Sequence, residues 1–128
     1  MQRKETKPTD GEMEILQVLW DKKKATVREV YEIISEKKDC GYTTTLKLMQ
    51  IMFDKKLVRR NTSAKTHIYE ALISKQSMQK NLVERMVDNV FQGSATGLVL
   101  QALGTGKPSS EELSQIQQLL DQLKKDSA

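Results

Sequence analysis

Apolar residues recur at helical spacing through most of this chain, interrupted once by a short stretch of strand character, and that order predicts its elements. Met13, Leu16, Leu19 and Trp20 share one face of a first helix over about residues 10–22. It opens on Thr9-Asp10-Gly11-Glu12, a capping box in which the Thr hydroxyl accepts a backbone N–H three residues on while Glu12 reaches back. Thr26-Val27-Arg28-Glu29 is a second such box, and Val27, Val30, Tyr31 and Ile34 form the face of the helix it starts. That helix fades in the charged run 36–39, with Cys40-Gly41 as the turn. A third helix is predicted from Tyr42 or Thr43 to about Lys56. Thr45, Leu48, Met49, Met52 and Phe53 fall on its inner side; Thr43, Lys47 and Gln50 fall opposite, flanked by Thr44, Leu46 and Ile51. Residues 57–61 and 66–71 then read as two short strands around the polar turn 62–65. Helix, helix, helix and hairpin is the order of a winged helix-turn-helix.

Beyond residue 73 the pattern changes. From Lys75 to about Gln92, Leu82, Val83, Met86, Val87, Val90 and Phe91 make a broad apolar stripe. Gly93-Ser94 breaks it, and Ala95 to Leu103 follows as a short segment carrying Leu98, Val99, Leu100 and Leu103. Residues 104–108 read as a loop. A third capping box, Ser109 to Glu112, starts a helix with Leu113, Ile116, Leu119, Leu120 and Leu123 on one side, and residues 124–128 fray. Three helices with apolar faces and little chain to cover them predict either a second copy, joined two-fold, or folding back onto the winged part. The fold class expected is therefore mainly α with a small β-hairpin: a winged helix-turn-helix over 1–73 and a helical dimerisation region over 74–128.

Composition sharpens this. The chain has 128 residues and 38% hydrophobic content, low for a self-sufficient globule, which favours the second-copy reading. Aromatic content of 5% argues against a base-stacking single-strand platform. No apolar run reaches the length of a membrane span and the first twelve residues lack a secretory core, so a soluble cytoplasmic protein is expected. The net charge of +4 is carried by residues 1–73; the remainder balances. Within 43–71, Lys47, Lys55, Lys56, Arg59, Arg60 and Lys65 face only Asp54 and Glu70. Such a concentration attracts a polyanion, with an affinity that falls as salt rises.

Double-stranded DNA is the partner this segment suits. A major-groove helix needs side chains that read base edges and donors that hold phosphates. Lys47 can donate to guanine, Gln50 can pair with adenine, and Thr43 and Thr44 can meet a phosphate or a thymine methyl, although either threonine serves equally as an N-cap. Arg59, Arg60, Lys65 and His67 border the hairpin as phosphate donors. Strand alternation sends Arg59 and Arg60 to opposite faces, so one of them is a solvated surface charge; Arg59, Lys65 and His67 are taken as the backbone contacts. The alternative is a winged-helix interaction module whose basic face binds an acidic protein. Catalysis finds no support: His67 has no metal-ligand neighbours at useful spacing, Cys40 can form no internal disulfide, Gly104 and Gly106 read as a linker, and no enzyme, cofactor, metal or small-molecule substrate is expected.

The ordered pieces resemble the penicillinase-repressor family (BlaI/MecI/CopY) of bacterial transcription regulators. The resemblance rests on the opening 12–20, EMEILQVLW; on 26–30, TVREV; on 42–46, YTTTL, with the 55–58 exit, KKLV; and on 91–94, FQGS, followed by 98–100, LVL. It covers about residues 9–123. What it implies is a homodimer with intertwined C-terminal helices, repression by occupying a promoter dyad, and, in β-lactam-responsive members, release when a membrane-bound sensor metalloprotease has the repressor cut in its dimerisation region, an antibiotic response. The family's Asn-Phe cleavage pair is replaced here by Gln101-Ala102. The cysteine cluster of the copper-responsive relatives is absent from the sequence, so copper sensing is not expected. The family also places Gly where this chain has Lys56, and the turn there is expected to persist with an adjusted backbone.

Overall fold

A computed structural model describes residues 7–127. Helices α1 (Asp10–Lys22), α2 (Val27–Ser35) and α3 (Tyr42–Asp54) precede strands β1 (Val58–Asn61) and β2 (Ile68–Ala71), and α4 (Lys75–Asn89), α5 (Ala95–Gly106) and α6 (Ser110–Asp126) complete the chain. All three capping boxes close as their sequences require: Thr9 with Glu12, Thr26 with Glu29, and Ser109 with Glu112. The chain is mainly helical with one antiparallel hairpin, and it forms two compact units, one up to Lys80 and one from Asn81. Among the described residues, no helix is long and apolar enough to cross a membrane.

The core of the first unit takes Leu16, Leu19, Val30, Met49 and Met52 from the faces the periodicity marks, but α1 turns further than predicted: Ile15 and Val18 are buried and Met13 and Trp20 only half-buried. Ile15, Leu16 and Leu19 of α1, Val30 of α2, and Met49 and Met52 of α3 are buried together with Val58 and Tyr69 of the hairpin. Burial of each such side chain contributes roughly 1.5–3 kcal/mol. Residues 58–61 pair with 68–71 in register Val58↔Ala71 and Asn61↔Ile68. A third, single-residue bridge comes from the α1–α2 connection: Ala25 and Tyr69 exchange backbone hydrogen bonds of 3.0 and 2.8 Å. The hairpin is thus tied to the helices by main chain as well as by packing, which holds the wing in one position relative to α3. The Trp20 indole N–H donates to the Ile73 carbonyl at 2.9 Å, and Met78 in the first turn of α4 is buried in the same unit.

The strands are shorter than the predicted 57–61 and 66–71. The Asn61 side-chain oxygen accepts from both the backbone N–H and the hydroxyl of Ser63, at 2.9 and 2.7 Å, and this local turn ends the ladder. Thr66 and His67 consequently lie in the loop rather than in β2.

At the exit of α3, the Leu57 N–H bonds to the Met52 carbonyl (2.9 Å) and the Lys56 N–H to that of Phe53 (3.1 Å), the paired bonds of a Schellman motif. That motif needs a left-handed residue, and Lys56 supplies it with φ 66°. The turn therefore persists with the lysine itself in the conformation a glycine would take.

In the second unit, Gln92 and Gly93 both have positive φ, at 51° and 88°, and turn the chain out of α4. The Ser94 hydroxyl then caps α5 through the Gly97 N–H at 3.0 Å. A Cβ on Gly97 would lie 3.1 Å from the Phe91 ring, so Phe91 packs against bare backbone here. Helix α5 runs through Gly104 to Gly106, past the predicted end at Leu103, with the Thr105 hydroxyl bonded to the Gln101 carbonyl. Lys107 in the left-handed region (φ 48°), followed by Pro108, stops it.

Candidate nucleic-acid interface

The outer face of α3 carries Thr43, Thr44, Lys47 and Gln50, all exposed, while Thr45, Met49 and Met52 are buried beneath. Both sets follow from one amphipathic period. No side chain caps α3: its N-cap is Gly41, and the hydroxyl bonded there is that of buried Thr45, donating to the Gly41 carbonyl at 3.2 Å. The hydroxyls of Thr43 and Thr44 are therefore not used as caps and remain on the outer face.

Between α3, the start of α2 and the wing lies an open cleft of about 480 Å³. Arg28, Gln50, Arg60, Lys65, Thr66 and His67 reach it, and no carboxylate lines it. Lys65 and His67 are exposed in the wing loop, and Arg60 is half-buried. The Arg60 guanidinium lies 4.0 Å over the Phe53 ring of α3 and reaches the Tyr69 hydroxyl at 3.5 Å. A cation on a ring face gains about 0.5–1 kcal/mol at such a half-open site while keeping its remaining N–H groups available.

Arg59 goes elsewhere. It stands directly opposite Glu70 in the ladder and donates to its carboxylate through Nε (3.1 Å) and Nη2 (2.9 Å). The two arginines do point to opposite faces, but Arg60 is the one that shares the cleft with Gln50, Lys65 and His67. Arg59, expected as a backbone contact, is paired on the far side of the hairpin near Lys24. Lys55 is also withdrawn: its ammonium sits 2.9 Å from both Glu12 oxygens. Of the six cations in 43–71, two are thus neutralised within the fold, while Lys47 and Lys65 make no ion pair among the described residues.

Glu12 is buried. Burial opposes its ionisation, but the Thr9 N–H, the Lys55 ammonium and the Thr9 hydroxyl outweigh that and hold its carboxyl below the ordinary value.

Two cleft residues were not singled out by pattern. Tyr42 opens α3, its ring edge-on to Tyr31 at 5.7 Å, and the Arg28 guanidinium lies 4.7 Å over it. The signal available in sequence was Arg28 itself, a cation in a first helical turn, where the dipole favours acids.

In the second unit the residues expected at a dimer interface divide. Val83, Met86, Val90, Leu100, Leu113, Leu119, Leu120 and Leu123 are exposed, with Val90 and Leu100 at 67% and 66%. Leu82, Val87, Phe91, Leu98, Leu103 and Ile116 are half-buried. Helices α5 and α6 contain no buried residue at all. Gln101 and Ala102 are exposed and lie inside α5.

The model of the family described as penicillinase repressor matches residues 8–122. The methicillin resistance regulatory protein MecI of Staphylococcus aureus (strain N315) is 22% identical over 121 residues, covering 94% of this chain and 98% of that protein. A penicillinase repressor of Staphylococcus aureus is 18% identical over 125 residues, covering 98% and 99%. The transcriptional regulator BlaI of Mycobacterium tuberculosis (strain CDC 1551 / Oshkosh) is 30% identical over 93 residues, covering 72% of this chain and 65% of that protein.

Proposed function

The chain belongs to the penicillinase repressor family, and from that premise we propose that it is a dimeric, sequence-specific DNA-binding transcriptional repressor that occupies a promoter dyad. The observation that carries the reading is the continuity of the outer face of α3 with an acid-free cleft under the wing. Thr43, Thr44, Lys47 and Gln50 face the bases and flanking phosphates, and Arg60, Lys65 and His67 hold the backbone alongside. Shape, donors and charge all agree with a helix in the major groove and a wing beside it.

Dimerisation rests on the exposed apolar side chains of α4, α5 and α6, which a second copy would cover two-fold. Two reading heads on one dimer then meet half-sites about one helical turn apart, or a small multiple of it. Release by a membrane-bound sensor metalloprotease of the β-lactam-response type belongs to the same reading. The bond it would have opened is Gln101–Ala102, which α5 must unwind to present. A cut there removes α6 and with it the effective-concentration gain of bivalent binding.

The test is duplex-DNA binding as a function of salt. A steep salt dependence with preference for a dyad is the expected result, and Lys47→Ala should weaken binding by about 1–3 kcal/mol if it reads a base. Lys107→Ala, far along the chain in the second unit, should change nothing. Equal losses in both variants count against the assigned face, and no binding at low salt favours an acidic protein partner instead.

A further inference from the structure

Arg28 makes no ion pair among the described residues, although it stands where a cation is disfavoured. It occupies the second position of α2, where the positive end of the helix dipole disfavours it. Its neighbour Glu29 is committed to the capping box with Thr26. Glu32, one turn on, is at ordinary pairing distance along the helix, yet no ion pair joins it to Arg28 among the described residues. The guanidinium instead lies over Tyr42 at 4.7 Å, with Tyr31 at 5.8 Å, and the two rings brace each other edge to face. A cation–π contact of this kind holds the guanidinium at the ring face, and no hydrogen bond or ion pair engages its donors among the described residues. Arg60 is held in the same manner over Phe53. Both arginines line one cleft that contains no acid.

Two planar cations, each held at the face of an aromatic ring and neither in an ion pair among the described residues, suit a phosphate, whose oxygens accept paired N–H groups from a guanidinium edge. We propose that Arg28, stacked on Tyr42, is a phosphate-gripping residue of the DNA interface, and that it and Arg60 hold the sugar-phosphate backbone beside the N-terminal end of α3. The inference rests on the reading of α3 as the DNA-facing helix and adds a grip from α2 to it. Because Tyr42 is the first residue of α3, the grip also sets where that helix begins along the groove. Arg28 contributes position and affinity, and no base preference.

The experiment uses the full chain and a mixed-sequence duplex, with affinity followed by fluorescence anisotropy over a salt series. Each phosphate that a variant no longer neutralises lowers the log–log salt slope by about 0.9. Arg28→Ala should therefore reduce the slope by about one and weaken binding several-fold. Arg28→Lys should keep the slope and still lose affinity, since an ammonium neutralises the phosphate without the stacked, two-pronged geometry. Tyr42→Leu should do the same as Arg28→Lys, because it removes the ring and no charge. Circular dichroism on each variant checks that the helices are intact. If Arg28→Ala matches the wild type in slope and affinity while Lys47→Ala and Lys65→Ala weaken binding, the proposal fails and the DNA reading stands. If the wild type does not bind duplex at all, the reading beneath it fails and takes the proposal with it.

Discussion

Lys55 Nζ lies 2.9 Å from both carboxylate oxygens of Glu12, joining the end of α3 to the start of α1 across 43 residues of chain. One carboxylate thus closes a capping box and anchors the exit of α3. The Glu12 side chain is almost wholly buried, whereas that of Lys55 is 29% exposed. Losing the lysine would strand a charge that retains only Thr9 as a partner. Lys55→Ala is expected to cost about 1–3 kcal/mol, less than the roughly 3–5 kcal/mol of breaking a fully buried pair, because the ammonium side reaches water. A urea titration with an unchanged slope and a lower midpoint is the expected reading.

The same pair makes stability depend on pH. The carboxyl of Glu12 is held below its unfolded value in the folded chain. The unfolded chain therefore takes up the proton first as the solution is acidified, and that favours unfolding. The contribution is complete above the ordinary carboxylate range and is lost as pH falls through the folded value. Glu12→Gln should be less stable at neutral pH and should lose less on acidification; parallel pH profiles for the two proteins would refute this.

Lys56 in the left-handed region carries a cost that a glycine there would not. Lys56→Gly should raise stability by about 0.5–1 kcal/mol, the relief of backbone crowding exceeding the extra freedom gained by the unfolded chain. A rise in thermal midpoint of a few degrees, with unchanged DNA affinity, is expected. A fall would mean that the lysine side chain contributes to the exit of α3 in some other way.

The two adjacent arginines of β1 should behave differently. Arg60→Ala removes a cation that faces the cleft, so it should weaken duplex binding several-fold and lower the salt slope by about one. Arg59→Ala breaks a cross-strand pair with Glu70 that is largely exposed, and should alter binding little and stability by less than about 1 kcal/mol. The reverse ranking in a salt titration would place the far side of the hairpin on DNA.

A fragment ending at Lys80 should fold as a monomer and bind a dyad about 100-fold or more weakly than the full chain, for want of a linked second head. Ending at residue 73 removes Met78, buried at 5% exposure, and should cost a further 1.5–3 kcal/mol or so. Sedimentation and urea titration of the two fragments distinguish these effects. Full dyad affinity in the monomeric fragment would overturn the bivalent reading.

Local chemistry was readable from the chain alone. The three capping boxes, the inner face of α3 and the outer Thr43-Lys47-Gln50 stripe all depend on residues within a turn or two of one another. Pairings between distant residues were not. Glu12 with Lys55, Ala25 with Tyr69, and Trp20 with Ile73 carry no periodic signature, since each partner looks complete within its own element. Alternation correctly separated Arg59 from Arg60, but which face met α3 depended on the Ala25–Tyr69 bridge and on Phe53. Glycines at 104 and 106 read as a break because glycine disfavours helices, yet the turn persists to Gly106. The share of α4 that packs with the winged unit was likewise hidden, because Met78 sits alone among polar neighbours.

Trp20 is the chain's single tryptophan, and its indole N–H is bonded to the carbonyl of Ile73, two residues ahead of α4. The protein therefore contains its own optical gauge of that junction. Fraying of residues 72–74 would wet the ring and redden its emission while the α1 backbone remained folded, so intrinsic fluorescence can follow loosening at the foot of α4 without any added dye.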